Sequence, residues 1–278
     1  MALPDAFRGI AGVTTIVARP QISHVVFDFD GTLSWIRHGW PTIMLSVMRE
    51  RLPRLAGEDS AHADALLGGI IIGLNGKPTI LQMIRFAEVV RERGGPAQDP
   101  ETLRAEYQRR LDTEIAARAA QVRSCQIADD FFVVHGARAL LEKLRRDGLK
   151  LYVLSSTVEE RVREEAELLG LTRYFNGRIN GCVGDPTRFS KRGVFERILR
   201  EDGITGDRLL SFGDGPVELS DTKQLGGLSI AVCSDEEHNG SGISDPHKQS
   251  QLLAAGADLA IPDYRNAITL VDRLRGWT

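Results

Sequence analysis

The stretch HVVFDFDGTLSW, residues 24–35, ends an apolar run on two aspartates and follows them at once with glycine and threonine. An ionised carboxylate left unpaired in low dielectric is costly, so a strand entering a core does not carry Asp28 and Asp30 without a use for both charges. Spaced by two along an extended chain, their side chains leave on the same side. Gly31 lets the backbone turn tightly, and its amide can then face an anion. Three other stretches supply matching groups: Ser155 with Ser156 and Thr157 after LYVL, Lys191 at the opening of a helix, and Asp214 with Glu218 in SFGDGPVEL. Carboxylates, a hydroxyl, a lysine and the free amides of a helix N-terminus suit a phosphoryl group together with a divalent cation. Magnesium takes hard oxygen ligands and usually only one or two carboxylates, which leaves room for water and phosphate oxygens. Asp28 and Asp214 can share such a cation, which offsets their repulsion, while Asp30 stays near enough to handle protons.

Each of these residues also has an ordinary reading. Ser155 or Thr157 can simply cap the next helix. Lys191 can be a solvated lysine, with Arg192 or Arg188 as the phosphate partner instead. Asp214 can be a turn aspartate. Lys77, in the loop GLNGKPTI, can close over a substrate and read its leaving group, or be an exposed linker residue. Arg37, followed by His38 and Trp40, can meet a second anionic group or serve a hinge. His135 and the polar stretch from Cys233 to Gln249 can border the pocket, the latter reading best as a solvent loop.

The elements that must position these groups alternate after residue 130. A helix in GARALLEKLRRDG precedes the strand LKLYVLSS, and helices near Val158–Leu169 and Lys191–Arg200 separate it from the strands GRINGCV and RLLSFGDG. GLSIAVCS and ADLAIP give two more strands, and a helix lies near the C-terminus. Such alternation predicts parallel crossover units in a doubly wound, Rossmann-like α/β core, whose ligands bind beyond the carboxyl ends of the strands. From Trp35 to Asp130 only amphipathic helical segments appear: Pro41–Leu55, Ala61–Ile72, Thr79–Arg93 and Pro100–Ala120. The simplest reading is an all-helical cap inserted directly after the first strand.

The whole chain sets outer limits. It has 278 residues, 26% charged and 42% hydrophobic, which is enough to bury a core and argues against disorder. A net charge of -3 gives no reason to expect nucleic acid as a partner. Cys125, Cys182 and Cys233 are odd in number and lack metal-ligand spacing, so free thiols in a reducing compartment are expected. IAGVTTIVA, from Ile10 to Ala18, is too short to span a bilayer, which predicts no signal peptide, no membrane partner and a cytoplasmic protein.

DFDGTLS, the VLSS strand end, Lys191 before an amphipathic helix, and FGDGPVEL occur in the order of the four signature motifs of the haloacid dehalogenase-like phosphatase superfamily. The chain resembles its helical-cap, phosphoglycolate phosphatase-like branch over roughly residues 22–34 and 131–278. The resemblance implies a core of residues 1–34 and 131–278, with 1–20 an unassigned extension, and a cap of residues 35–130. It implies a magnesium-dependent phosphatase acting on a small phosphorylated metabolite, a sugar phosphate or similar, through an aspartyl-phosphate. Asp28 would be the nucleophile and Asp30 the general acid and base. Ser155, Ser156, Lys191, Gly31 and Thr32 would hold the phosphoryl group. Asp28, the carbonyl of Asp30, Asp214 and Glu218 would hold Mg2+. Glu218 stands where the family more often has aspartate and is long enough to reach the metal through water, with Asp221 a weaker substitute. Lys77 and Arg37 are the candidates for substrate specificity, Lys77 by reading the leaving group and Arg37 by meeting a second anionic group. A phosphomutase of the same fold and a non-catalytic phosphate-ester-binding regulator are the alternatives.

Overall fold

The computed structural model describes residues 7, 9–12, 17–75, 77–185, 188–235 and 238–276. Among them, β1 (His24–Phe27), β2 (Lys150–Val158), β3 (Ile179–Cys182), β4 (Leu209–Gly213), β5 (Leu228–Val232) and β6 (Leu259–Ile261) form one parallel sheet in the order β3-β2-β1-β4-β5-β6. Parallel strands are covered on both faces, so they read as continuous apolar runs. Val25, Val26 and Phe27 are accordingly almost fully buried. Phe27 stacks on Phe212 at a ring-centroid distance of 5.0 Å. Phe27 is level with Val153 on one side and Phe212 on the other, so Asp28 and Asp214 leave the tips of β1 and β4 beside Ser155, which lies within β2.

Between β1 and β2 the chain builds α1 (Trp40–Arg49), α2 (Ser60–Gly73), α3 (Thr79–Glu92) and α4 (Pro100–Arg123), then α5 (Ala137–Arg146). The first four share their own core around Met44, Met48, Leu67, Met83, Phe86 and Leu111. This is the inserted helical cap. Ile115 on α4 packs against both that core and the core of the sheet. The remaining helices, α6 (Glu159–Leu168), α7 (Lys191–Glu201), α8 (Pro216–Gln224), α9 (Pro246–Ala254) and α10 (Ala267–Leu274), alternate with the strands. No helix among the described residues is long and apolar enough to cross a membrane.

Three local differences from the sequence reading have physical causes. β2 runs on to Val158, so Ser155, Ser156 and Thr157 are strand residues, with an irregular register against β3 between Leu154 and Val158. α1 stops at Arg49 rather than Leu55; Pro53 disfavours helix at the residue before it. The stretch read as a solvent loop contains α9, started by Asp245, whose side chain accepts from the amides of His247 and Lys248, and by Pro246 at its first turn. Of the segment Ile10–Ala18, residues 13–16 lie outside the described residues. Ile10 is buried, and Ala11 makes an antiparallel bridge to Ala260 in β6.

Candidate active site

The centre of the site is a lysine between two acids. Lys191 is the first residue of α7, whose N-cap Ser190 accepts from the Gly193 amide. Its Nζ lies 3.0 Å from Asp28 Oδ2 and 3.1 Å from Glu218 Oε2, and all three side chains are buried. Burial alone would lower the ammonium pKa, but Asp28 and Glu218 outweigh it and hold it above the usual lysine value. Arg192 turns instead to Glu196, 2.7 Å away, and Arg188 is exposed near Asp185. The ordinary reading of Lys191 as a solvated lysine therefore does not describe it.

Burial pushes the Asp28 carboxyl well above its usual range; Lys191 pulls it back, while Glu218, Asp214 and Asp30 push it further. A cation is the natural remedy for this excess of acids. Carboxylate oxygens of Asp28, Asp214 and Glu218 all lie within 4.8 Å of one another, and such hard donors fit Mg2+. Within the set the acids differ. Glu218 Oε1 accepts from the Gly215 amide at 2.7 Å while its Oε2 faces Lys191, so both oxygens already have partners. Asp214 accepts weakly from Thr32 Oγ1 at 3.4 Å and pairs with Lys248 Nζ at 2.9 Å. A Cβ on Gly31 would lie 2.2 Å from Asp214 Oδ2, so only glycine fits beneath that carboxylate. Asp221 stays outside the cluster, with Arg192 Nη1 3.9 Å away.

Asp30 is held from two sides. Its Oδ2 accepts from Thr157 Oγ1 at 2.9 Å and from Ser155 Oγ at 3.4 Å. Neither hydroxyl caps α6, whose N-cap is Val158 without a side-chain bond. On the other side Arg37 Nε stands 3.2 Å from Asp30 Oδ1. Arg37 also makes a forked pair with Glu165, at 3.0 Å and 2.6 Å, and so already faces two carboxylates.

These groups open into one cavity of about 130 Å³. Its floor carries Asp28, Asp30, Ser155, Ser156, Lys191 and Asp214, and its roof is made by the cap, including Trp40, Lys77 and Tyr107. Lys77 is exposed at the rim, in the turn between α2 and α3. Arg161 on α6 joins cap to core through a forked pair with Asp112 on α4. His135 is exposed beside Gly240 and His38 is exposed; neither lines the cavity.

Sequence reading missed Glu165 and Lys248. Glu165 shares the inward stripe of Val162, Ala166 and Leu169, and an acid on an apolar stripe is the signal that it has a buried partner. For Lys248 the signal was Asp245-Pro246, a helix start.

The family model of haloacid dehalogenase-like hydrolases matches residues 22–220. No curated protein matches the sequence. Among solved structures, a protein from Haemophilus somnus 129pt described as a predicted phosphoglycolate phosphatase superposes with a TM-score of 0.60 at 15% identity, covering 90% of this chain and 98% of that one. A HAD family hydrolase from Deinococcus radiodurans R1, with bound phosphate and sodium, gives 0.58 at 16% identity over 93% and 99%. The β-phosphoglucomutase of Clostridium difficile gives 0.59 at 11% identity over 92% and 97%. At such identities the likeness establishes the fold, which phosphatases and phosphomutases share.

Proposed function

Because this chain belongs to the haloacid dehalogenase-like hydrolase family, we propose that its pocket hydrolyses a small phosphomonoester, a sugar phosphate or similar metabolite, with Mg2+. The observation that supports this best is the meeting of Asp28, Lys191 and Asp214 at one end of the same small cavity as Asp30. An Asp28 carboxylate oxygen attacks phosphorus as the ester P–O bond breaks, and Asp30 passes its proton to the leaving oxygen. Asp30 then takes a proton from water as that water attacks phosphorus, the Asp28–phosphorus bond breaks and phosphate leaves. Lys191, Ser155 and Ser156 hold the phosphoryl oxygens, since positioning and charge stabilisation dominate phosphoryl transfer; the amides of Gly31 and Thr32, expected to join them, instead donate to the carbonyl oxygens of Ser34 at 2.9 Å and Phe29 at 3.3 Å. Asp28, Asp214 and the Asp30 carbonyl would hold Mg2+, which supplies positive charge to the phosphoryl oxygens. Glu218, with both oxygens already engaged, acts on the metal at most through water and otherwise orients Lys191.

Residues 35–130 act as the cap, with Lys77 at the rim reading the leaving group. Three free cysteines support a reducing, cytoplasmic setting. A phosphomutase is the second reading, favoured by the Arg161–Asp112 pair that holds the cap over the pocket, because closure keeps bulk water from the phosphoenzyme. Phosphate release from a metabolite panel, with and without Mg2+, tests the first reading, and isotope exchange between sugar phosphates tests the second. Unchanged turnover by Asp28→Asn would refute the nucleophile.

A further inference from the structure

We infer that Arg37, anchored by Glu165, is a positioning residue for Asp30: it fixes the carboxylate that hands a proton to the leaving oxygen. This rests on the hydrolase reading above and adds to it a pair of residues that the signature motifs do not contain. Arg37 is only 7% exposed and Glu165 6%. Both Glu165 oxygens accept from the Arg37 guanidinium, through Nε and Nη2, and the planar fork of arginine suits such a pair. The same Nε stands 3.2 Å from Asp30 Oδ1.

That oxygen has no other restraint. Oδ2 of Asp30 accepts two hydroxyls, whereas Oδ1 is buried and accepts no hydrogen bond from the described residues. The ion pair with Arg37 is thus what holds the Oδ1 side of the carboxylate, completing the restraint that Thr157 and Ser155 place on Oδ2. Arg37 is itself immobilised on both flanks, since Arg118 of α4 donates to the carbonyl oxygens of Ile36 at 2.6 Å and His38 at 2.9 Å. A buried ion pair is often no more stabilising than apolar residues of similar volume. Stability alone is therefore a poor reason for this pair, and its place against Asp30 is a better one.

The test separates a positioning role from a structural one by the leaving group. Expulsion of an alkoxide needs a well-placed acid; dinitrophenolate leaves as a stable anion and does not. Arg37→Met alone would strand Glu165 in the core, so the variant is Arg37→Met with Glu165→Met, its folding checked by circular dichroism and melting. Values of kcat/KM, which report the first phosphoryl transfer, are measured with Mg2+ for dinitrophenyl phosphate and for an alkyl phosphate from the panel. We expect about a 100-fold loss on the alkyl ester, the scale on which a misplaced general acid acts, and a loss of less than about threefold on the aryl ester. Arg37→Lys keeps the charge without the fork and is expected to show the same split to a smaller degree; it decides the matter should the double variant fail to fold. Equal losses on both esters, or none on either, overturn the inference. A wild-type chain that turns over neither ester instead overturns the hydrolase reading, and this inference with it.

Discussion

Asp214 lies so close over Gly31 that no side chain fits between them: a Cβ at position 31 would stand 2.2 Å from Asp214 Oδ2, and Gly31 has a φ of 73°. Gly31→Ala therefore combines left-handed backbone strain with displacement of the carboxylate proposed to hold Mg2+. We expect a stability loss of about 2 kcal/mol, read from the urea midpoint, since the left-handed region alone costs ~1–2 kcal/mol. Phosphate release should fall about 100-fold, the effect of moving a reacting group by about 1 Å.

Removing the ammonium at position 191 should separate folding from chemistry. Lys191→Met leaves Asp28 and Glu218 facing each other in a buried space, a situation that costs about 3–5 kcal/mol when one partner of a buried ion pair is lost. Adding Glu218→Gln should recover much of that stability in a denaturant titration. Phosphate release should stay abolished, because the missing ammonium is the one proposed to hold the phosphoryl oxygens.

Mg2+ should bind the folded chain more tightly than the unfolded one. At a concentration 100 times its Kd it would then add about 2.7 kcal/mol to stability, visible as a higher melting temperature without any substrate. Asp214→Asn should remove that increment and the response of phosphate release to chelator. A melting temperature indifferent to Mg2+ in the wild type would contradict the metal assignment.

At the opposite end of β1, burial pushes the His24 imidazole below its ordinary value, against the pull of Asp202 and with the help of Lys150 and Arg178. Asp202 accepts from His24, Lys150 and Tyr152. A depressed imidazole pKa means that the unfolded chain takes up the proton first. The stability owed to neutral His24 is thus complete above pH 6.5 and is lost as pH falls through the lower folded value. Urea midpoints measured downward from pH 7.5 should decline below about 6.5. His24→Gln should flatten that decline.

Much of this architecture is legible in the sequence because each strand of a doubly wound sheet is a short apolar run ended by polar residues. Asp28 and Asp214 can be placed at strand tips from that pattern alone, whereas Ser155, expected at a tip, lies within β2. The partners of Asp30 cannot. Arg37 and Glu165 are 128 residues apart, and no local periodicity relates a linker arginine to one acid on a distant helix. Thr157 is ambiguous for a different reason: a hydroxyl near a strand–helix junction is expected to cap, and only the continuation of β2 to Val158 turns it towards Asp30. Lys248 escapes because a polar stretch hides a nine-residue helix whose only buried side chain is Leu252.

The short bridge between Ala11 and Ala260 matters for behaviour in solution. Ala11 N donates to Ala260 O at 2.9 Å, and Ala260 N returns the bond at 3.2 Å, so the outer rim of β6 is occupied where it would otherwise offer free amides and carbonyls to a stranger. Shortening the chain to begin at residue 21 would expose that rim and the apolar surface under Phe7 and Ile10. The trimmed protein should self-associate by edge-to-edge strand pairing, although every group of the phosphoryl pocket would remain in place.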